Sequence, residues 1–170
     1  MKNTFLLLLL SVFVTTASAQ SVRRSTARPA SKSGFSVGLE AGIPVGENAK
    51  PYGSVLGASL QYEVKPDPEI GVTFNGGYLS YNLKSSYGEG SVGFVPLLAG
   101  VKYYPSPEVF FHAQLGAAVG TKSGQGTSFA YAPGIGYKFS PTVDVELKYL
   151  GISNSAGSIN NVGVRLGFNF

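Results

Sequence analysis

From position 35 to the last residue, the sequence alternates between apolar residues and polar or very small ones. The alternation is clearest over 162–170, VGVRLGFNF, where every second side chain is apolar. A period of two places successive side chains on opposite faces of a β-strand, whereas a helix needs an apolar stripe at every third or fourth residue. No segment has such a stripe, so the pattern predicts an all-β fold.

Eight segments carry this alternation, and two kinds of connection alternate between them. Three of the links are short and contain proline, which presets a turn and ends a strand ladder, so they are predicted to be turns. The other four links are longer and rich in glycine, serine and asparagine. This order predicts an eight-stranded antiparallel up-and-down β-barrel with both termini at the short-turn end. The predicted strands are 34–43, 52–64, 69–81, 92–104, 108–119, 127–139, 142–152 and 160–170; the short turns are 65–68, 105–107 and 140–141; the long loops are 44–51, 82–91, 120–126 and 153–158.

Ahead of the first strand lie two segments of different character. Residues 1–19 have a positive Lys2, an apolar run over 5–14 and small residues before Gln20, the pattern of a cleaved secretory signal peptide. The run is too short for a retained helical anchor, which needs about twenty apolar residues. Residues 20–33 are polar and basic without an acid, which predicts a disordered periplasmic arm. The predicted barrel domain is 34–170.

The composition excludes several functional classes. Charged residues make up 13% of the chain, against roughly 25% in soluble domains. The sequence has no cysteine and one histidine, which excludes disulfides, thiol catalysis and multi-histidine metal sites. Its basic excess comes from the arm, so the charge does not indicate nucleic-acid binding. We expect no metal and no cofactor.

Alternation alone does not tell the inside of a barrel from the outside. A soluble lipocalin-like barrel would turn its apolar face inward toward a ligand, whereas an outer-membrane barrel turns it outward to lipid. Two belts of aromatic residues favour the membrane barrel, because such rings prefer the membrane interfaces. The belt expected at the turn end comprises Phe35, Tyr62, Tyr103, Phe111, Tyr137, Phe139, Phe168 and Phe170, and the belt at the loop end comprises Tyr52, Tyr78, Phe129 and Tyr149.

Residues 94–104 (FVPLLAGVKYY), residues 129–137 (FAYAPGIGY) and the aromatic C-terminus resemble the small outer-membrane β-barrel family of the OmpA transmembrane domain and OmpX. The resemblance implies an integral protein of the Gram-negative outer membrane that contacts lipid and lipopolysaccharide. It also implies insertion by the barrel-assembly machinery, with Phe168 and Phe170 as the assembly signal. Arg165 departs from the family pattern, which prefers glycine there. A peptidoglycan-binding domain after the barrel is not part of the sequence.

The lumen of an eight-stranded barrel is filled by side chains, and the alternation points eight charged residues into it. Buried charges must be paired, because an unpaired one costs several kcal/mol in desolvation. We expect a structural network rather than a gate or proton path. Counting rows from the turn end predicts a Glu40–Arg165–Glu146 network with Lys148 nearby, and a lower cluster of Glu63, Lys102, Lys138 and Asp144.

Catalysis is not expected. Small barrels that modify lipid A use a histidine with serine and acid partners, but His112 has no serine among its neighbours on the same strand face. His112 also lies near the turn end, away from the outer leaflet, so we interpret it as a polar core residue.

The sequence therefore predicts a non-catalytic outer-membrane barrel that acts in envelope structure or in surface interaction through long loops. Loops on a rigid scaffold often carry recognition. A narrow, porin-like channel for small solutes and a soluble lipocalin-like carrier remain as alternatives. The candidate loop contacts are Tyr81, Lys84, Tyr87 and Glu89.

Overall fold

In the computed structural model, which describes residues 32–155 and 157–170, the chain forms a closed barrel of eight antiparallel strands. The predicted leader and most of the predicted arm lie outside these residues, while Lys32 and Ser33 belong to the first strand. The strands are β1 (Lys32–Val45), β2 (Tyr52–Asp67), β3 (Ile70–Leu83), β4 (Ser91–Tyr103), β5 (Val109–Gly120), β6 (Thr127–Lys138), β7 (Val143–Asn154) and β8 (Gly157–Asn169).

Each strand pairs with its neighbours in sequence, and β1 closes the barrel against β8, with Leu39 opposite Leu166. Closure gives every strand two partners, so no edge is left with unpaired backbone groups. The prediction of eight strands in up-and-down order is confirmed. Five strands, β1, β2, β3, β7 and β8, are longer than predicted, since their ladders continue into the connections.

The connections define two ends of the barrel. The turn end carries residues 68–69, 104–108 and 139–142, with prolines as predicted, and the loop end carries 46–51, 84–90, 121–126 and 155–156. The fourth connection at the loop end is shorter than the predicted loop over 153–158, because the β7–β8 ladder continues to the pair Asn154 and Gly157. Gly157 has a φ of 143°, which favours glycine at the start of β8.

The outer surface of the barrel is apolar. Phe35, Leu60 and Leu115 expose 63%, 61% and 61% of their surface, as befits side chains that face lipid. This orientation contradicts the lipocalin-like alternative, which requires the apolar face inside. Among the described residues, no helix is long and apolar enough to cross a membrane.

One member of the predicted loop-end belt faces inward. Tyr52 packs against Tyr81 inside the barrel, with 6.0 Å between ring centroids. The cause is a register shift between Tyr52 and Ser54, which adds one residue to β2 and reverses the alternation there. Tyr78 and Phe129 are exposed as predicted, and Tyr131 joins the outer face beside Tyr149 at 6.0 Å.

The interior of the barrel has two parts of opposite character. The half toward the turn end is polar and charged, as predicted, and we call it the polar lumen. The half toward the loop end is filled by apolar side chains, which we call the apolar plug. The plug consists of Val55, Leu79, Tyr81, Phe94, Leu98, Ala118, Ala130, Ala132, Leu150 and Ile152. The polar lumen includes Ser36, Glu40, Ser59, Gln61, Thr73, Asn75, Lys102, His112, Gln114, Asp144, Glu146, Lys148 and Arg165.

We expect the apolar plug to contribute strongly to stability. Leu79→Ala removes a side chain with 1% exposure and leaves a cavity, so the free energy of unfolding falls by about 2–5 kcal/mol. Leu60→Ala is the matched control on the outer face, where lipid or detergent fills the space, so its loss is smaller. Urea unfolding of both variants in detergent micelles tests this, and equal losses would contradict a packed plug.

Candidate functional site

Glycines in the strands make room for the long charged side chains of the polar lumen. A Cβ on Gly38 would collide with the guanidinium of Arg165, and a Cβ on Gly167 would meet Arg165 and Asp144. Gly134 similarly leaves space beside the carboxylate of Glu146. The alternation of charged residues and glycine along the strands is therefore a packing requirement of a narrow barrel.

Arg165 extends over Gly38 toward the turn end. Its Nε donates to Ser59 Oγ at 3.0 Å, and its Nη2 donates to Ser36 Oγ at 2.7 Å. Its Nη1 lies 3.7 Å from Asp144 Oδ1, while Asp144 Oδ2 accepts a hydrogen bond from the Asn169 side chain at 2.7 Å. The guanidinium thus links β8 to β1, β2 and β7 across the lumen.

The pairing of the upper charges differs from the predicted one. The register places Glu40 and Glu146 on either side of Arg165, as the counting of rows predicts. However, Glu40 Oε2 pairs with Lys148 Nζ at 2.7 Å, and the ion pair of Arg165 is with Asp144. Long side chains lean along their strands, so row position alone does not decide which charges meet.

Glu146 takes part in a buried chain of three side chains that the sequence interpretation missed. Its Oε1 accepts from His112 Nδ1 at 2.9 Å, and His112 Nε2 lies 2.9 Å from Thr73 Oγ1. His112 comes from β5, Glu146 from β7 and Thr73 from β3. The one sequence feature that could have indicated this contact is Gly134, which lies between His112 and Lys148 in the register. Because glycine has no side chain, it leaves room for the side chains of His112 and Glu146 to meet.

A second polar group lies near the turn end around Glu63. Its carboxylate is 3.4 Å from Lys102 Nζ and 3.7 Å from Lys65 Nζ, and it accepts from Tyr104 at 2.6 Å. Burial and the neighbouring Glu63 raise the pKa of Tyr104, so the phenol stays protonated and donates. Lys138 lies 4.3 Å from the Tyr104 ring, a cation–π contact rather than an ion pair.

Glu146, His112 and Thr73 follow the order acid, histidine, hydroxyl, which is the order of a catalytic triad. In this barrel, however, the three side chains are closed off from solvent. Thr73 and His112 expose 0% and 2% of their surface, so a substrate cannot reach the hydroxyl while the barrel is closed. Across the residues that the structure describes, no three or more acidic, histidine or cysteine side chains form a group that could hold a metal ion. The arrangement fits a role in holding strands together.

The four candidate loop contacts separate into two groups. Tyr81 is fully buried in the apolar plug, and its hydroxyl donates to Asn161 Oδ1 at 3.3 Å, so its prediction as a loop contact was wrong. The reason is that β3 continues to Leu83, which keeps the inward alternation through Tyr81. Lys84, Tyr87 and Glu89 are exposed around a short 3₁₀ turn over Ser85–Tyr87.

The loop end also contains a cavity of about 260 Å³ above the apolar plug. Its lower part is formed by Phe94 and Ile152 of the plug, together with Tyr52. Side-chain amides and two serines form the walls. The cavity is lined by Asn48, Tyr52, Val92, Phe94, Gln125, Ser128, Ile152, Asn154, Gly157, Ser158 and Ile159.

A closed barrel with an apolar exterior and a filled interior defines the protein as a transmembrane β-barrel. The sequence profile described as "Outer membrane protein beta-barrel domain" matches residues 5–170. The chain therefore belongs to the outer-membrane β-barrel family, which implies the outer membrane of a Gram-negative bacterium as its location. The resemblance noted from the sequence is confirmed.

Solved structures support the same fold. The N-terminal barrel domain of Pseudomonas aeruginosa OprF superposes with a TM-score of 0.60 at 14% identity, covering 82% of this chain and 99% of that one. Yersinia pestis Ail gives 0.59 at 18% identity, covering 81% and 97%. A de novo designed transmembrane barrel gives 0.54 at 15% identity, covering 86% and 100%. No curated protein matches the chain significantly.

We expect the Glu40–Lys148 pair to act as a unit. Lys148→Met leaves a buried carboxylate without its partner, so the free energy of unfolding falls by about 3–5 kcal/mol. The double variant Glu40→Gln with Lys148→Met removes both charges. Its free energy of unfolding falls by less than the sum of the decreases in the two single variants. Urea unfolding in micelles measures the free energies of unfolding for this double-mutant cycle, and Lys84→Met, at an exposed position, is the control. Additive losses would show that the two side chains do not interact.

Proposed function

We propose that this protein is a non-conducting, non-catalytic outer-membrane barrel that acts in envelope structure and surface interaction, with its loop end facing outward. The observation that carries the proposal is the filled interior. The apolar plug obstructs the lumen at the loop end, and paired charges occupy it toward the turn end. A rigid, closed scaffold of this kind leaves the loops as the surface available for recognition.

The alternative of a narrow channel requires a continuous polar path through the lumen. Toward the loop end the polar lumen gives way to the apolar plug, which includes Leu79, Leu98 and Leu150. An ion crossing them would lose its hydration without a compensating partner, at a cost of several kcal/mol. The filled lumen therefore favours a scaffold over a solute path.

Absence of catalysis is supported by the burial of the single histidine. Thr73 Oγ1, His112 and Glu146 are directed at one another inside the barrel, so their polar groups satisfy each other. A buried polar group that is fully hydrogen-bonded rigidifies its surroundings. We propose a structural role for these three residues and for the eight predicted lumen charges.

For biogenesis, we propose export by a leader over 1–19 that is cleaved, and insertion by the barrel-assembly machinery. Phe168 and Phe170 provide the aromatic C-terminal strand that such machinery recognises, and both side chains face outward. The residues from 20 to the start of β1 would form a periplasmic arm. Lipid contacts the outer face, and lipopolysaccharide surrounds the loop end.

For surface contact, we propose Lys84, Tyr87 and Glu89. Tyr87 exposes 59% of its surface on the short 3₁₀ turn, with the lysine and glutamate on either side. An exposed aromatic ring between charges is suited to a binding contact. Yersinia pestis Ail, which has the same fold, has been crystallised with the heparin analogue sucrose octasulfate, so a barrel of this size can present a ligand surface.

Planar bilayer recordings test the closed lumen. We expect the refolded barrel to produce no steady conductance, because the plug and the ion pairs leave no continuous polar path. Heat-dependent mobility on SDS gels confirms that the sample is folded, and an open porin reconstituted in parallel shows that the bilayers report channels. Regular conductance steps from folded protein would favour the channel alternative.

Cysteine labelling tests the orientation of the barrel in the membrane. Because the sequence contains no cysteine, a single introduced cysteine is the one site that a maleimide can label. We expect Tyr87→Cys at the loop end to react with a membrane-impermeant maleimide in intact cells. Glu108→Cys, exposed at the turn end, serves as the matched control and reacts only after the outer membrane is permeabilised. Labelling in the opposite order would overturn the proposed orientation.

A further inference from the structure

We propose that the cavity at the loop end is a binding site for a single neutral sugar ring. This inference deepens the proposed surface role and rests on it for the source of the sugar, which would lie outside the cell. The site is separate from the exposed contacts around Tyr87, because none of Lys84, Tyr87 or Glu89 lines the cavity.

The size of the cavity limits the occupant. Its volume of about 260 Å³ is just below the roughly 300–1,000 Å³ of pockets that hold drug-sized ligands. One ring with its substituents fits this space, while the rest of a longer chain would extend out of the open top. Below the ring, the plug blocks entry into the polar lumen.

The lining has the chemistry that a sugar requires on two sides. Phe94, Ile152 and Tyr52 provide an apolar and aromatic base, on which the C–H face of a sugar ring can pack. Tyr81 supports this base from below, with its ring 5.5 Å from that of Phe94 in edge-to-face geometry. The base is therefore held in place by the plug before any ligand arrives.

The walls retain hydrogen-bonding capacity after their internal contacts are made. Asn48 Nδ2 donates to the Ser158 carbonyl, which leaves Asn48 Oδ1 as an acceptor. Gln125 Oε1 accepts from the Lys122 amide, which leaves the Gln125 amide hydrogens as donors. Ser128 Oγ accepts from Asn154 and can donate its own proton. Sugar hydroxyls both donate and accept, so they match this mixture.

The charge of the lining sets the specificity. No lysine, arginine, aspartate or glutamate lines the cavity within the described residues. A charged saccharide would lose water on entering and find no opposite charge, which costs free energy. The cavity therefore favours a neutral ring over a uronic acid or a sulfated sugar.

The walls are also fixed relative to one another, which reduces the entropy lost on binding. The Asn48–Ser158 hydrogen bond of 3.0 Å ties the first connection at the loop end to the start of β8. Gly157 allows this approach, because a Cβ there would lie 2.8 Å from Asn48 Nδ2. The bond from Asn154 to Ser128, at 2.9 Å, joins β7 to β6 on the other side of the cavity.

Saturation-transfer difference NMR on the full barrel in lipid nanodiscs tests the inference. The probes are methyl glucoside, methyl galactoside, N-acetylglucosamine, sodium glucuronate and cyclohexanol. We expect transfer to at least one neutral sugar and weaker transfer to glucuronate and cyclohexanol. Nanodiscs avoid sugar-headed detergents, which would compete for the site.

Two variants localise the binding, and folding is checked by the heat-dependent gel shift. Val92→Phe fills the cavity and weakens binding by about tenfold or more, a loss of about 1.4 kcal/mol. Gln125→Ala removes one hydrogen-bonding wall and weakens it about fivefold. Lys50→Ala, exposed at the loop end and outside the lining, is the matched control and leaves binding unchanged.

Three outcomes would overturn the inference: no transfer to any neutral sugar, equal binding by folded Val92→Phe, or cyclohexanol binding as strongly as the sugars. The last would identify a merely apolar cavity. Binding to purified protein does not depend on membrane orientation, which the labelling at positions 87 and 108 measures separately. Failure of the sugar site is therefore distinguishable from failure of the proposed surface role.

Discussion

Closure of the β1–β8 ladder is the constraint on which the rest of this structure depends. Hydrocarbon offers no hydrogen bonds, so every backbone group that crosses the membrane must be paired within the protein. Pairing of Leu39 with Leu166, and of the residues on either side, removes the two edges that an open sheet would expose. Once eight strands are closed, the lumen is narrow, and the interior must be filled by side chains.

The interior of the barrel is filled in two ways. Toward the turn end, charged side chains pair across gaps that glycines leave, as where Arg165 passes over Gly38. Toward the loop end, leucines, alanines and aromatic rings pack as in a soluble core. The two halves have different consequences for function. The charged half holds strands together through directional contacts, while the apolar half closes the lumen and forms the base of the loop-end cavity.

Sequence reasoning was accurate where it depended on periodicity and less so where it depended on where strands end. The eight strands follow from a period of two and from turn chemistry, and the outward direction of the apolar face follows from the aromatic belts. Tyr52 and Tyr81 were assigned incorrectly for local reasons. A register shift reverses the alternation at Tyr52, and β3 continues beyond its predicted end at Tyr81. Neither a bulge nor a strand extension leaves a clear signal in one sequence.

The sequence by itself determined which residues of a strand share a face wherever the register is regular, because alternation is a local property of each strand. Only the tertiary structure decided which of them meet. Glu40, Arg165 and Glu146 share a row, yet their partners are Lys148, Asp144 and His112. The partner of a long side chain depends on its lean and on space beside it, here at Gly38 and Gly134. The Glu40–Lys148 pair joins β1 to β7 across the closing ladder, so it exists only after the barrel has closed.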